Sequence, residues 1–256
     1  MVEFQRKDFY SYADFLEIMR LLRAPGGCPW DREQTHSSIR RNFLEETYEV
    51  LDAIDHDDAH GMCEELGDVL MQVAFHAQIE TERGRFTMAD VVNGVAQKLV
   101  YRHPHVFGDV QADTSQQVLN NWEVLKRREK GQRSTADAVE SVPHTLPALW
   151  RAEKVQSKTA KAGFDWESAL QALDKLEEEV RELRAALEAG QAADVPHGIR
   201  EEVGDALFMA AKIAQMSGVD PEDALHRAWD KFDRRFRAVE ETADKPLADC
   251  SQAELL

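Results

Sequence analysis

Apolar residues recur every three or four positions through most of this chain, and that spacing places them on one side of an α-helix. The pair Asp220-Pro221 adds a cap residue followed by a proline, the order that opens a helix. No segment alternates apolar and polar residues convincingly, and the ambiguous stretch 106–110 is predicted to be a loop. The pattern therefore predicts an all-α protein. Its clearest helical segments are residues 12–22, 38–54, 62–79, 88–102, 169–187, 199–216 and the run that begins after Asp220.

The chain divides into two helical parts. It turns polar after Trp122, and residues 131–135 read Gly-Gln-Arg-Ser-Thr, a composition typical of a linker. Two prolines then precede a new helical run. We predict an N-terminal domain over residues 1–130, a linker over 131–145 and a C-terminal domain over 146–256, which suits a length of 256 residues.

Three short segments occur twice, in the same order, about 135 residues apart. Chance can produce one acidic match in a chain with 48 acidic residues, whereas three matches in register indicate two copies of one helical domain. The matched segments are 45–49 with 178–182, 64–68 with 201–205, and 98–102 with 231–235.

The first copy has carboxylates where a helix faces its core. Glu46 and Glu49 are three residues apart and project to the same side of a helix, and Glu46 falls within the apolar stripe of its segment. Glu65 and Asp68 have the same spacing on the next helix. A carboxylate that faces a core is costly unless it is paired or bound to a metal ion. Because all of these donors are oxygens, they suit Mg²⁺, with Mn²⁺ as the second choice, rather than zinc.

The second copy has the same acidic spacing. Glu202 and Asp205 are again three residues apart on one helix. The other pair, Glu179 and Glu182, lies beside the apolar stripe of its helix rather than inside it. These two acids reach a shared site only if a second helix packs on their side. The small residues available there are Ala172 and Ala186.

Each copy also carries two basic residues spaced by four, Lys98 with Arg102 and Lys231 with Arg235. Fixed cations beside metal-binding acids suit a polyphosphate substrate, since they neutralise its phosphates. A solvated helix face with salt-bridge partners explains a single acidic pair equally well. It does not explain the whole acidic and basic set occurring twice.

The overall charge excludes one class of partner. The formal net charge is −17, and nucleic-acid binding depends on Lys and Arg side chains that neutralise phosphates. No apolar run reaches the 18 residues or more that a membrane helix needs, and the first residues lack an apolar signal core. The three scattered cysteines indicate reduced thiols. We expect a cytoplasmic protein without a nucleic-acid or membrane partner.

Other metal chemistries are supported less well. His56-Asp57 resembles the pair of an HD-type phosphohydrolase, but it lies in a polar run that predicts a solvated turn. A ferritin-like di-iron site needs two Glu-x-x-His pairs on helices, and only Glu33 with His36 has that spacing. The stretch 103–105 has two histidines around a proline, which breaks the helix and predicts a loop.

Taken together, the ordered motifs resemble the MazG family, the nucleoside triphosphate pyrophosphohydrolases of the all-α NTP pyrophosphatase superfamily. Each acidic pair alone is a weak signal, whereas the ordered set is specific and spans most of the chain. The motifs are GGCPWDREQTH at 26–36, LEETYEV at 44–50, EELGD at 64–68, RHPHVFGD at 102–109, GFDW at 163–166 and KFDRRF at 231–236.

The resemblance implies a fold, a reaction and a site. The fold is a tandem pair of MazG-like helical domains that form a homodimer, with four-helix-bundle active sites completed between chains. The reaction is hydrolysis of NTPs and dNTPs to the monophosphate and pyrophosphate. In the C-terminal domain Glu179, Glu182, Glu202 and Asp205 are the implied Mg²⁺ ligands. Lys231 and Arg235 are the implied phosphate-binding residues, and Lys175 lies nearby on the helix of Glu179.

The N-terminal copy has the same residue types, and the sequence leaves open whether it catalyses turnover. Its set consists of the metal-binding candidates Glu46, Glu49, Glu65 and Asp68 and the substrate-binding candidates Lys98 and Arg102.

Two departures from the family pattern concern the base. Family members often have Asn two residues before the Lys-Phe pair, where this chain has Trp229, which continues an apolar seam and is predicted to pack in the core. Many relatives extend to an aromatic residue near the base, and this chain stops at residues 254–256. The preferred base and sugar therefore stay open. A helical dimerisation module that senses nucleotides without cleaving them is the alternative function.

Overall fold

The computed structural model describes residues 2–189, 197–243 and 245–251. Every regular element in these ranges is helical, so the predicted all-α class is confirmed. The α-helices are α1 Tyr12–Arg23, α2 Pro29–Glu33, α3 Arg40–Asp55, α4 Ala59–Glu82, α5 Met88–Arg102, α6 Pro104–Phe107, α7 Ser115–Glu129, α8 Thr135–Glu140, α9 Ala148–Ala160, α10 Ala169–Ala189, α11 His197–Met216 and α12 Pro221–Thr242.

The chain forms two compact units, Met1–Leu125 and Lys126–Leu256, which we call the N-terminal and C-terminal units. The stretch predicted as a linker, 131–145, contains α8. A capping box starts α8, because the Ser134 hydroxyl accepts from the backbone of Asp137 while the Asp137 carboxylate accepts from the backbone of Ser134.

Other helix ends follow equally local rules. Asp220 caps α12 and Pro221 is its first residue, as the sequence predicted. Pro104 starts the short helix α6, so the loops predicted at 103–105 and at 106–110 are wrong for residues 104–107. The proline has no N–H to donate and its ring fixes a helical φ, and both properties suit the first position of a helix.

The N-terminal unit is built on α3 and α4, with α1 packed against α4. Met19 of α1 and three residues of α4 are buried together with Ile39, which directly precedes α3. This cluster holds the two helices that carry the acidic residues. The α4 residues of the cluster are Ala74, Phe75 and Ile79.

The C-terminal unit is built on α10 and α11, with α9 packed on α11 and α12 on α9. Met209 and Ala211 of α11 are buried. The indole N–H of Trp150 on α9 donates to the Asp220 carboxylate at 3.0 Å, which ties α9 to the start of α12. Among the described residues no helix has both the length and the apolar character needed to cross a membrane.

Large apolar side chains remain exposed on the C-terminal unit. Trp229 of α12 is 69% exposed, so the prediction that it packs in the core is wrong for the single chain. Phe232 and Phe236 are also exposed on this helix, and their rings stack with centroids 5.9 Å apart. Further exposed apolar residues lie on α10 and α11, namely Leu173, Val180, Leu187, Val203 and Leu207.

Candidate active site

The second packed face that Glu179 requires is present on α10. Ala172 is fully buried and Glu179 is only 6% exposed, and they are seven residues apart on one side of the helix. A Cβ atom added to Gly198 of α11 would lie 3.7 Å from the Cβ of Ala186, a further seven residues along α10. The small residues on this face let α11 approach closely, and the approach turns Glu179 toward the acids of α11.

The predicted acids of the C-terminal unit converge. Glu179, Glu202 and Asp205 each offer a carboxylate oxygen, and these oxygens lie within 4.8 Å of one another. Burial raises the pKa of Glu202, and the negative charges of Glu182, Glu179 and Asp205 raise it further. The fourth predicted acid, Glu182, is therefore close enough to repel Glu202. We call these four acids the C-terminal carboxylate cluster.

The N-terminal unit repeats the arrangement. Carboxylate oxygens of Glu46, Glu49 and Glu65 lie within 4.8 Å of one another. Burial raises the pKa of Glu46, with further contributions from Asp68 and Glu49. The side chain of Gln72, one turn after Asp68, hydrogen-bonds to Glu46 and opposes that shift. These four acids form the N-terminal carboxylate cluster.

Lys175, a predicted substrate-binding residue, contacts a member of the C-terminal cluster. Its Nζ lies 2.8 Å from Glu178 Oε1 and 2.9 Å from Glu179 Oε1. Hydrogen bonds to Glu178 and then to Glu179 raise the pKa of Lys175, so it is a fixed cation at neutral pH. In this structure Lys175 compensates part of the negative charge of the cluster.

The other predicted basic residues lie in different surroundings. Arg102 is buried and its guanidinium lies over the ring of Trp122, 5.1 Å from the centroid. Lys231 and Arg235 are exposed one turn apart on α12. Within the described ranges, no ion pair joins Lys98, Lys231 or Arg235 to either carboxylate cluster.

A histidine pair in the N-terminal unit was missed by the sequence reasoning. His36 Nδ1 lies 2.7 Å from His76 Nδ1, and His36 Nε2 lies 2.5 Å from Glu80 Oε1. Glu80 is buried and also pairs with Arg83 and Arg85. The hydrogen bond from His36, followed by Arg85, lowers the pKa of Glu80 to about 2. His76 and Glu80 share the i, i+4 spacing of α4, but nothing in the sequence links them to a histidine 40 residues earlier.

The ring geometry leaves room for one proton between the two histidines. Their planes differ by 7° and their centroids are 5.0 Å apart. At that separation, two ring nitrogens approach to 2.7 Å only if both lie near the line that joins the centroids, so the rings meet end to end. One nitrogen must then donate and the other accept, which two protonated rings cannot do.

This pair predicts an acid-labile N-terminal unit. Burial, followed by the neighbouring His36, lowers the pKa of His76 below its ordinary 6.5. The unfolded chain therefore binds a proton at His76 at a higher pH than the folded chain does, so stability is present above about pH 6.5 and is lost as the pH falls. Between pH 7.5 and pH 5.5, the Tm of His76→Phe should fall less than the Tm of the wild type. An equal fall of Tm with pH in the two proteins would contradict this.

Comparison with known proteins identifies the family. The model of the MazG nucleotide pyrophosphohydrolase domain matches residues 34–107 and 164–239, ranges that contain the two carboxylate clusters. A protein of Escherichia coli (strain K12), named nucleoside triphosphate pyrophosphohydrolase, is 46% identical over 226 residues, which are 88% of this chain and 85% of that protein. A Thermotoga maritima protein, named nucleoside triphosphate pyrophosphohydrolase/pyrophosphatase MazG, is 42% identical over 234 residues, 91% of this chain and 87% of that protein. Because the domain occurs at both clusters and the similarity extends over most of the chain, this protein belongs to the MazG nucleotide pyrophosphohydrolase family.

Proposed function

We propose that this protein hydrolyses nucleoside triphosphates, both NTPs and dNTPs, to the monophosphate and pyrophosphate with the help of Mg²⁺, or of Mn²⁺ in its place. The observation that carries the proposal is the convergence of acids from two packed helices, once in each unit, within 4.8 Å. The relatives from Escherichia coli and Thermotoga maritima bear the name of this reaction. Removal of unwanted nucleotides from the cellular pool is the corresponding role.

The donor set fits a hard divalent cation. The clusters contain only carboxylates, and neither histidine nor cysteine is among their members. Carboxylate oxygens suit Mg²⁺ and Mn²⁺, whereas zinc sites draw on nitrogen and sulfur. Burial, followed by mutual repulsion, raises the pKa of Glu46 and of Glu202, and a bound cation would stabilise their charged forms. Glu179, Glu182, Glu202 and Asp205 would hold the cation in the C-terminal unit.

When bound, the cation neutralises phosphate charge and lowers the pKa of coordinated water. A carboxylate of the cluster orients the attacking water and accepts its proton. The water oxygen forms a bond to the α-phosphorus while the bond to the bridging oxygen breaks, and pyrophosphate leaves with that oxygen. Lys231 and Arg235 bind the departing phosphates. Lys175 Nζ, which contacts Glu179 in this structure, would be available to a phosphate oxygen once Glu179 held the cation.

A second copy of the chain would complete the site. The apolar side chains of α10, α11 and α12 described above are exposed in the single chain, and Lys231 and Arg235 lie on the same α12. A homodimer that buries these surfaces makes four-helix bundles and brings α12 to a carboxylate cluster of its partner.

The dimer predicts a molecular mass twice that of the 29.1 kDa chain in light scattering. Trp229→Asp buries a charge in the proposed interface and should shift the protein toward the monomer and lower its activity. Ala136→Asp, at an exposed position of α8 outside the proposed interface, should change neither. A monomeric wild type with full activity would contradict the proposal.

Metal binding should stabilise the protein, and more so at higher pH. Protonated carboxylates do not bind cations, and the raised pKa values of Glu46, Glu65 and Glu202 extend their protonation above the ordinary range. With Mg²⁺ at about 100 times its Kd, we expect Tm to rise by roughly 5 °C or more at pH 7.5 and by less at pH 5. Calorimetric melts with Mg²⁺ and with EDTA measure this. A Tm that is insensitive to Mg²⁺ at both pH values would contradict it.

The reaction itself is tested with a panel of NTPs and dNTPs, with Mg²⁺ and with EDTA, in an assay that resolves NMP from NDP. The proposal expects NMP and pyrophosphate in equal amounts with Mg²⁺ and none with EDTA. Tight nucleotide binding without NMP would instead support the nucleotide-sensing module. The variants Glu202→Ala and Glu65→Ala show which unit catalyses the hydrolysis.

A further inference from the structure

The two carboxylate clusters hold matching glutamates in different ways. Glu179 in the C-terminal unit contacts an ammonium group, whereas Glu46 in the N-terminal unit accepts a hydrogen bond from an amide. We propose that, in the absence of nucleotide, the N-terminal carboxylate cluster is the tighter of two divalent-cation sites and that Gln72 is a positioning residue for Glu46. This inference rests on the metal sites of the proposed function and distinguishes one from the other.

The internal repeat shows which residues correspond. Gln72 follows the last acid of its cluster by four residues on α4, the position that Met209 has on α11. Lys175 precedes the first acid of its cluster by four residues on α10, the position that Asn42 has on α3. A spacing of four places each of these side chains next to its acid on one face of the helix. The two copies therefore share their acids and differ in the polar group beside them.

Gln72 is oriented by its contact with Glu46. The residue is only 6% exposed, and its side chain hydrogen-bonds to the Glu46 carboxylate. A carboxylate only accepts hydrogen bonds, so the NH₂ end of the amide faces Glu46. The Oε1 atom is joined to the same carbon as this NH₂ group and therefore also lies beside the cluster. Oε1 is buried and has no hydrogen-bond partner among the described residues.

This unpaired acceptor fits a hydrated cation. A buried acceptor without a donor is costly, and a ligand that brings a donor relieves the cost. Mg²⁺ keeps several of its waters when a protein binds it, and each water has O–H groups to donate. Gln72 thus has a group for each part of the ligand, because its NH₂ end holds Glu46 in place and its Oε1 accepts from a water of the cation. The thioether of Met209 offers no N–H donor and is a weak acceptor.

The charge beside each cluster favours the same unit. Lys175 Nζ lies 2.9 Å from Glu179 Oε1, and the side chain of Glu179 is 8% exposed, so a cation at Glu179 is repelled by a close ammonium group. In the described part of the chain, no lysine, arginine or histidine forms an ion pair with the four acids of the N-terminal carboxylate cluster. Arg41 on α3 instead pairs with Glu45, outside the cluster, at 2.7 Å.

Both differences act on affinity in the same direction. The affinity of an oxygen site for a hard cation depends on the charge of its ligands and on the hydrogen bonds that hold those ligands in place. The N-terminal carboxylate cluster keeps its full negative charge and has the amide of Gln72. The C-terminal carboxylate cluster has part of its charge compensated by Lys175 and lacks the amide.

Titration with Mn²⁺, followed by electron paramagnetic resonance, measures both sites without nucleotide, because the sharp spectrum of free Mn²⁺ is lost on binding. The wild type should show one tight and one weak class of sites. Glu65→Gln should remove the tight class, whereas Glu202→Gln should leave it unchanged.

Two exchange variants test the two causes separately. Gln72→Met gives the N-terminal unit the residue of the other copy and should weaken the tight class by about tenfold or more. Lys175→Asn makes the opposite exchange and should strengthen the weak class by roughly fivefold. Gln78→Met is the control, because the amide of Gln78 on α4 also donates to a carboxylate, that of Glu82 at 3.1 Å, which belongs to neither cluster.

Two classes of equal affinity, the absence of a tight class, or its loss in Glu202→Gln would overturn the inference, and so would an unchanged tight class in Gln72→Met. These results leave the proposed reaction untouched, since release of NMP tests it separately. A wild type that releases no NMP would contradict the reaction and leave the Mn²⁺ result in place. Thermal melts establish that each variant is folded. Should Gln72→Met fail to fold, Gln72→Asn, whose shorter amide does not reach Glu46, should weaken the tight class equally.

Discussion

Glu202→Ala is expected to lower kcat/KM for NTP hydrolysis by about 10²–10⁴-fold, which is several kcal/mol of barrier at 1.36 kcal/mol per decade. Glu202 lies within the C-terminal cluster, where Glu179 and Asp205 bring their oxygens within 4.8 Å of its own. Removing one carboxylate leaves the proposed cation with an incomplete set of ligands and the phosphates with less charge neutralisation.

Steady-state release of pyrophosphate measures this effect. Glu201→Ala is the matched control, because Glu201 is the exposed neighbour on the same helix and should leave kcat/KM within about twofold. A wild-type rate for Glu202→Ala would exclude the C-terminal cluster as the active site. The same assay on Glu65→Ala asks whether the N-terminal cluster contributes.

Asp165→Leu is expected to lower the free energy of unfolding by roughly 3 kcal/mol, because it leaves the Lys212 ammonium buried without its carboxylate. The side chain of Asp165 is 31% exposed, so water reaches part of the site and keeps the cost at the lower end of the range for buried pairs. A loss of this size should lower Tm by roughly 10 °C.

The double variant Asp165→Leu/Lys212→Met separates the ion pair from simple loss of packing. With both charges replaced by apolar groups, no unpaired charge remains buried, so most of the lost stability should return. Differential scanning calorimetry of the wild type, both single variants and the double variant gives the coupling between the two sites. If the stability losses of the two single variants simply add in the double variant, the ion pair contributes nothing to stability.

The helices and the acidic positions were predictable, because they depend on local spacing. The period of three to four residues marked the helices that carry both clusters, and the structure ends each of them within a few residues of the predicted position. Glu46 was found because it interrupts an apolar stripe, and such an interruption is costly without a partner.

Features that depend on which surfaces meet were not predictable. Glu179 lies on a second face of α10, and the close approach of α11 beside Ala186 turns it toward Glu202. The His36–His76 contact joins residues 40 positions apart, and the hydrogen bond from Gln156 of α9 ends at the carbonyl of Phe208 on α11. Helical spacing says nothing about such contacts between distant segments.

The surroundings of Trp229 were not predictable for the same reason. Its spacing correctly marks an apolar face of α12, but a pattern does not tell whether that face is covered by the same chain or by another molecule. In the single chain it is exposed, which is why the dimer enters as a proposal with its own test.

An anomalous-diffraction map of crystals grown with Mn²⁺ and a non-hydrolysable NTP analogue locates the proposed cation directly. We predict a manganese peak within coordination distance of Glu179, Glu202 and Asp205, with the phosphates beside it. Carboxylates that lie together around no cation, with the nucleotide bound elsewhere, would contradict the account.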